Sequence, residues 1–199
     1  MITEGIKNNK KIGSYATILH LDGDKKYAKR AISYYNNLNL RAIVENIKEE
    51  EQPQKVINLL EKYQPDILVS TGHDKMFKKG QDLYKIENYK NSKYFIDTVI
   101  KARKWQCSEE KLIIFAGACE SFYEAIMLAG ANFASSPARI MVEYRDPLII
   151  ASKIAYTDPS MYVKMEDLLP YLKSNYNGIG GNRAKGKKKV IQKDKKQYV

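Results

Sequence analysis

The sequence predicts an α/β protein: a mainly parallel sheet flanked by helices on both faces, a three-layer sandwich. Three observations carry that expectation. Short apolar runs of strand length recur along the chain, among them Asp66-Ile67-Leu68-Val69 and Leu112-Ile113-Ile114-Phe115. Continuous apolar runs of that length, ended by glycine turns, belong to strands buried on both faces, as in parallel sheets. Between the runs lie segments with apolar residues at helical spacing, and the resulting order β-α-β-α-β calls for crossover-connected parallel strands.

The elements follow in order. Residues 1–14 are polar and read as a loose leader, after which Tyr15–Asp22 is the first strand. Tyr27, Ala31, Tyr34 and Tyr35 recur at helical spacing across 24–37, and Asn36-Asn37 stops that helix. Leu40–Val44 is the second strand, and Val56, Ile57, Leu59, Leu60 and Tyr63 mark a helix over 54–63 that ends before Pro65. Residues 75–90 read as a basic, polar loop, and Asn91 or Ser92 caps a helix through about Lys104. The strand ending at Phe115 runs into Ala116-Gly117-Ala118-Cys119, with Glu120 opening a helix that packs through Phe122, Ala125, Ile126 and Ala129 and ends at Gly130. Asn132–Ala134 and Ile140–Tyr144 read as short strands, 148–155 as a helix begun by Asp146-Pro147, and 165–172 as a final helix. One domain over 15–175 is expected, followed by a glycine-rich and then basic flexible tail over 176–199.

Composition narrows the functional classes. No apolar run is long enough to cross a bilayer, so no membrane association is expected. Cys107 and Cys119 are the two cysteines, too few for a disulfide framework, which favours a reducing intracellular setting. His20 and His73 are the two histidines and lie far apart, so no zinc-type spacing occurs, and neither a metal nor a cofactor is expected. Phosphate-loop and GxGxxG patterns are absent, and Gly178-Ile179-Gly180-Gly181 lacks a preceding strand. The net charge of +11 is carried mostly by the basic stretch from Arg183 onward. Without aromatic interleaving or a recognised nucleic-acid fold, that stretch reads as a solvated tail, and no specific nucleic-acid partner is expected.

The chemistry concentrates at strand ends. Cys119 sits where an apolar strand meets a helix, on the rim where α/β sheets bind ligands, and facing a helix amino end that favours a thiolate. A free cysteine is more often a small buried hydrophobe, and a lone histidine more often structural. His73, in Pro65–Asp74, changes that weighing, because it too follows a buried strand and therefore reaches the same rim. The histidine precedes the cysteine by close to the about 50 residues of caspase-type proteases, and Ala118-Cys119 matches their alanine-cysteine turn. That reading makes His73 and Cys119 a catalytic dyad on a caspase-like or flavodoxin-like sandwich.

TGHD (71–74), NSKYF (91–95), FAGACES (115–121) and AGANFASSPARI (129–140) together resemble the YabG family of sporulation-specific proteases. The resemblance runs from about Tyr15 to Ile154, with a weaker echo in NGIGGNRAKGK (177–187). It implies a cysteine peptidase that processes spore-coat proteins on the mother-cell side of the forming spore, with His73 and Cys119 at the positions of the family's dyad. Family members usually carry a small β-rich N-terminal region, which is not expected here. Oxyanion donors are expected from the backbone N–H groups of Cys119 and Asp74, although caspase-like enzymes usually have glycine where Asp74 stands. Asp74 either orients His73 or turns to solvent and caps the loop.

The resemblance also implies cleavage after Arg or Lys, and recognising such a side chain needs a carboxylate. Asp22 and then Asp24, following the first strand, are the favoured substrate-binding residues; each equally suits a helix cap, and Glu143, Asp146 and Glu120 stand in reserve. Self-cleavage within the basic tail is a further expectation. Two alternatives stay open: a non-enzymatic flavodoxin-like regulatory or binding domain, and a thiol-dependent amidase acting on small amides.

Overall fold

The computed structural model describes residues 14–77 and 82–189. The polar leader, part of the loop after His73 and the last ten residues lie outside them. Six strands form one sheet in the order β2-β1-β3-β4-β5-β7: β1 (Ser14–Asp22), β2 (Leu40–Asn46), β3 (Ile67–Thr71), β4 (Ile113–Ala116), β5 (Phe133–Ser135) and β7 (Ile179–Gly181). All pairings are parallel except β5 with β7, which is antiparallel. Strands β6 (Tyr162–Lys164) and β8 (Arg183–Lys185) form a separate antiparallel pair. The helices are α1 (Lys25–Asn37), α2 (Gln52–Tyr63), α3 (Ser92–Trp105), α4 (Tyr123–Leu128), α5 (Asp146–Tyr156) and the one-turn α6 (Met165–Leu168) and α7 (Asn175–Gly178).

The period-2 alternation of the strands sorts the core into two layers. Ala16 and Ile18 of β1 with Ile67 and Val69 of β3 face α1 and α5, where Ala31, Tyr35, Leu148, Ile150 and Ile154 cover them. Leu19, Leu21 and Leu68 face the other way, onto Val56 and Leu60 of α2 and Phe95 and Val99 of α3. Each fully buried side chain of this size contributes about 1.5–3 kcal/mol. The three-layer α/β sandwich expected from the pattern is the fold observed.

Four local expectations are corrected. Residues 140–144 are not a strand, because their backbone groups are taken by side chains and turns instead of a ladder. Ser136 Oγ receives the Ile140 N–H at 2.8 Å, the Ile140 carbonyl accepts from Glu120 N–H, and Glu143 N–H donates to Ser174 Oγ. The helix after Cys119 begins at Tyr123 rather than Glu120 and has six residues. Glu120 has a positive φ of 56°, Ala118 N–H donates to Ser121 Oγ and Phe122 N–H donates to Ser92 Oγ, so tertiary bonds hold this stretch as a turn. Cys119 therefore does not lead directly into that helix, and the expected placement of its thiol at the first turn falls away. In place of a loose glycine stretch, 178–181 supplies β7, whose Ile179 pairs with Ser135. Residues 165–172 also shorten: α6 gives way to a 3-10 turn over Leu169–Tyr171, where Pro170 lacks the N–H a longer helix requires.

Candidate active site

The carboxyl ends of β1, β3, β4 and β5 open onto one cavity of about 210 Å³. Asp22 enters from β1, Thr71-Gly72-His73 from β3, Gly117-Ala118-Cys119 from β4 and Ser135 from β5. Tyr27 of α1 and the extended segment Met141–Tyr144 form the remaining wall. The helical crossovers that made β1, β3 and β4 parallel also place their ends on the same edge, so His73 and Cys119 line one cavity.

Close approach shapes the turns. A Cβ on Gly72 would overlap the carboxylate of the buried Glu49, and one on Gly23 would do the same. Glu49 Oε1 sits there to accept the His73 backbone N–H at 2.6 Å, pinning the loop that carries the imidazole. Asn91 Nδ2 donates to the His73 carbonyl at 2.7 Å, so the backbone of His73 is held on both sides. Gly117 has φ +106°, a conformation open to glycine, and packs against the backbone of Ser135.

The His73 ring meets Asp24. Nε2 lies 2.9 Å from Asp24 Oδ2, while Asp24 Oδ1 accepts the N–H groups of Lys26 and Tyr27 as the cap of α1. That hydrogen bond from His73 holds the Asp24 carboxyl below its usual range. A carboxylate on Nε2 fixes the proton there and leaves Nδ1 as the accepting nitrogen. Cys119 is partly buried; its Sγ receives the Val142 N–H at 3.3 Å. The backbone N–H groups of Cys119 and Asp74 have no protein acceptor among the described residues.

The other acidic candidates divide sharply. Asp22 is buried at the cavity wall, with Oδ1 accepting Asp24 N–H at 2.8 Å and Oδ2 accepting Thr71 Oγ–H at 3.0 Å. Asp24 is engaged by the α1 cap and by His73 and is not among the residues lining the cavity. Asp74 points inward instead of to solvent and is not part of the His73–Asp24 pair, but it does cap the loop that follows it. It is buried, accepting from the N–H groups of Asn91 and Lys75 and from the hydroxyls of Ser92 and Ser121, and burial raises its carboxyl above the usual value. Asp146 is fully buried and accepts the N–H groups of Lys173 and Ser174. Glu120 accepts Met76 N–H, and Glu143, on the cavity wall, pairs with Arg145. Cys107 is exposed and is not among the residues that line the cavity.

Sequence reasoning missed Glu49, whose signal was confined to the two glycines at positions 23 and 72 that make room for it. It also left His20 unused. Among the described residues no cluster of three or more His, Cys, Asp or Glu is placed to hold a metal ion, and no helix is long and apolar enough to cross a membrane.

Fold and site together define a class: a three-layer α/β protein presenting an imidazole, a thiol and a buried carboxylate to one cavity at the carboxyl edge of its sheet. Within that class the chain belongs to the YabG peptidase U57 family, whose sequence profile it matches over residues 3–192. It is 37% identical over 169 residues to the sporulation-specific protease YabG of Bacillus subtilis (strain 168), an alignment covering 85% of this chain and 58% of that protein. The chain thus spans little more than half the length of that relative. Among solved structures, the RcsB response regulator of Salmonella typhimurium aligns with TM-score 0.41 and 12% identity over 71% of this chain and 59% of that one, a likeness too distant to inform topology or function.

Proposed function

We propose that this protein is a cysteine endopeptidase that acts during sporulation, cutting spore-coat proteins after Arg or Lys on the mother-cell side of the forming spore. The observation that carries the reading is the convergence of His73, Cys119 and Asp22 on one cavity. Cys119 Sγ attacks the scissile carbonyl carbon, the C–N bond breaks, and His73 passes the thiol proton to the leaving amine. Water then hydrolyses the thioester, with His73 taking its proton, and releases the new carboxyl terminus. The N–H groups of Cys119 and Asp74, without a protein acceptor among the described residues, are the donors for the oxyanion. Val142 N–H, donating to Sγ, suits a sulfur that carries negative charge. The Asp22 carboxylate takes the substrate's guanidinium or ammonium group, and the lysine-rich chain end offers sites for self-cleavage. No cofactor takes part.

The test is a peptide series varying only the residue before the cut, run on wild type, Cys119→Ala, His73→Ala and Asp22→Asn. Turnover should vanish in the first two variants, and the preference for Arg should collapse in the third. An irreversible thiol-directed peptide should label Cys119 and leave Cys107 free. Near-wild-type turnover by Cys119→Ala would sink the mechanism, and equal rates for Arg, Leu and Asp peptides would remove the basic pocket.

A further inference from the structure

Behind Asp22 lies a chain of polar groups that neither the dyad nor the sheet requires. His20 is the other histidine of the sequence, buried mid-strand in β1. Register places it opposite Val69, and Asp22 opposite Thr71, so that His20, Asp22 and Thr71 all point to the α1 side of the sheet. His20 Nδ1 lies 3.1 Å from the Tyr35 hydroxyl and Nε2 lies 2.9 Å from Thr71 Oγ1. Thr71 Oγ1 lies 3.0 Å from Asp22 Oδ2, and Nε2 itself is 3.6 Å from that oxygen. The chain begins at a fully buried tyrosine and ends on a carboxylate in the cavity wall.

The carboxylate fixes the direction of every bond. A carboxylate only accepts, and of the two acceptors beside the Thr71 hydroxyl, Asp22 Oδ2 at 3.0 Å and the Leu21 carbonyl at 3.4 Å, the nearer takes its single proton, which turns a lone pair to His20. His20 must therefore donate from Nε2, and in the neutral ring Nδ1 accepts the Tyr35 proton. Burial holds the Tyr35 phenol in its protonated form, which keeps that donor in place. With the proton on Nδ1 alone, two lone pairs would face each other between Nε2 and Thr71. A buried line of four polar side chains costs desolvation that an apolar core would avoid. What it supplies is one orientation of the Asp22 carboxylate, held at Oδ2 by Thr71 and at Oδ1 by Asp24 N–H, with a lone pair on each oxygen still open.

We propose that His20 and Thr71 are positioning residues for recognition of a basic side chain, acting through Asp22 to present its carboxylate to the guanidinium or ammonium group entering the cavity. The proposal rests on the reading of Asp22 as the substrate carboxylate. Thr71→Val keeps the shape of the side chain and removes the hydroxyl; Thr71→Ser restores it; Thr71→Ala replaces valine should the extra methyl disturb folding. In the full chain, Thr71→Val should raise KM for an Arg peptide about tenfold, the scale of a hydrogen bond to a charged group, with a smaller change in kcat. The preference for Arg over Leu should fall in parallel. Thr71→Ser should return both toward wild type, and His20→Phe should repeat the valine result. A role confined to packing would lower Tm and slow all peptides alike, leaving the preference intact. If Asp22→Asn loses the preference while Thr71→Val and Thr71→Ala keep it, the relay is wrong and the pocket stands. If Asp22→Asn keeps it, the pocket reading fails and the relay falls with it. Equal loss in the valine and serine variants would also overturn the relay, since the hydroxyl would then be irrelevant.

Discussion

Asp24 has two jobs in the structure, and one substitution separates them. Its Oδ1 caps α1 through the N–H groups of Lys26 and Tyr27, while its Oδ2 meets His73 Nε2 at 2.9 Å. In Asp24→Asn the amide oxygen keeps the cap, because asparagine caps about as well as aspartate. The amide NH2 is then turned toward Nε2, which can only accept it, so the imidazole proton moves to Nδ1. That removes the lone pair His73 needs for proton transfer. Asp24→Ala instead loses the cap, at about 1 kcal/mol, but leaves the ring free to choose its tautomer. A charge-assisted hydrogen bond is worth about 1.5–3 kcal/mol, which corresponds to roughly 10- to 100-fold in kcat. The lower end applies here, because the His73 side chain is 59% exposed and solvent screens the pair. Activity and stability should therefore rank in opposite orders: Asn above Ala in Tm, Ala above Asn in kcat. The pH dependence follows from the lowered Asp24 carboxyl. Its contribution to stability is complete above the ordinary carboxylate range and is lost as pH falls through the lowered value. Steady-state kinetics on an Arg peptide and thermal melts of both variants provide the measurement. Wild-type kcat in Asp24→Asn, or losses of kcat that track Tm in both variants, would refute the assignment.

Glu49→Ala should leave the His73 N–H without its acceptor, costing about 1–3 kcal/mol in urea unfolding and lowering kcat, whereas Glu49→Gln keeps an acceptor oxygen and should recover most of both. Asp74, whose carboxyl burial raises, gives the opposite pH sign to Asp24: the folded state holds the proton more tightly, so stability falls as pH rises from the ordinary carboxylate value through the raised one. Urea midpoints measured as pH rises from the ordinary carboxylate range should show that fall in wild type and lose it in Asp74→Asn. Phe115→Ala, emptying a site 2% exposed at the centre of the sheet, should cost about 3–5 kcal/mol in unfolding free energy.

The sheet was legible in the sequence because its strands are buried on both faces, which turns them into unbroken apolar runs such as Ile113-Ile114-Phe115. Cys119 and His73 were legible as strand-end residues for the same reason: once the strands are found, topology places their ends together. What escaped depends on side chains reaching across the chain. The stretch Ala118–Phe122 has helical composition, yet Ser92 and Ser121, positioned by Asp74, take its N–H groups and hold a turn. Residues 140–144 are mostly apolar, like a short strand, but their partners are Ser136, Cys119 and Ser174. The β7 strand contains two glycines and has no apolar period of its own; it forms because Gly181 and Gly180 fit against Phe133 and Tyr123. For Asp74 the sequence left two roles open, orienting His73 or capping the loop from the solvent side, because adjacency to His73 does not say which way a residue leaving a strand points.

The pairing of β1 with β3 sets both candidate functions of the acidic residues at once. Asp22 lies opposite Thr71 in the ladder, so Leu21-Asp22-Gly23-Asp24 and Ser70-Thr71-Gly72-His73 leave the sheet side by side and in phase. Asp22 meets Thr71 on the cavity side; two residues later Asp24 meets His73; the glycines between them leave space for Glu49, which reaches in to hold the His73 backbone. In a sheet, slipping one strand by a single residue turns its whole set of side chains to the other face. Here such a slip would set Gly72 opposite Asp22, part Asp24 from His73 and bury a leucine's face against α1. The apolar core therefore guards the site: Leu19 and Leu21 on one side and Ile18 on the other admit one register, and that register brings the imidazole to its carboxylate.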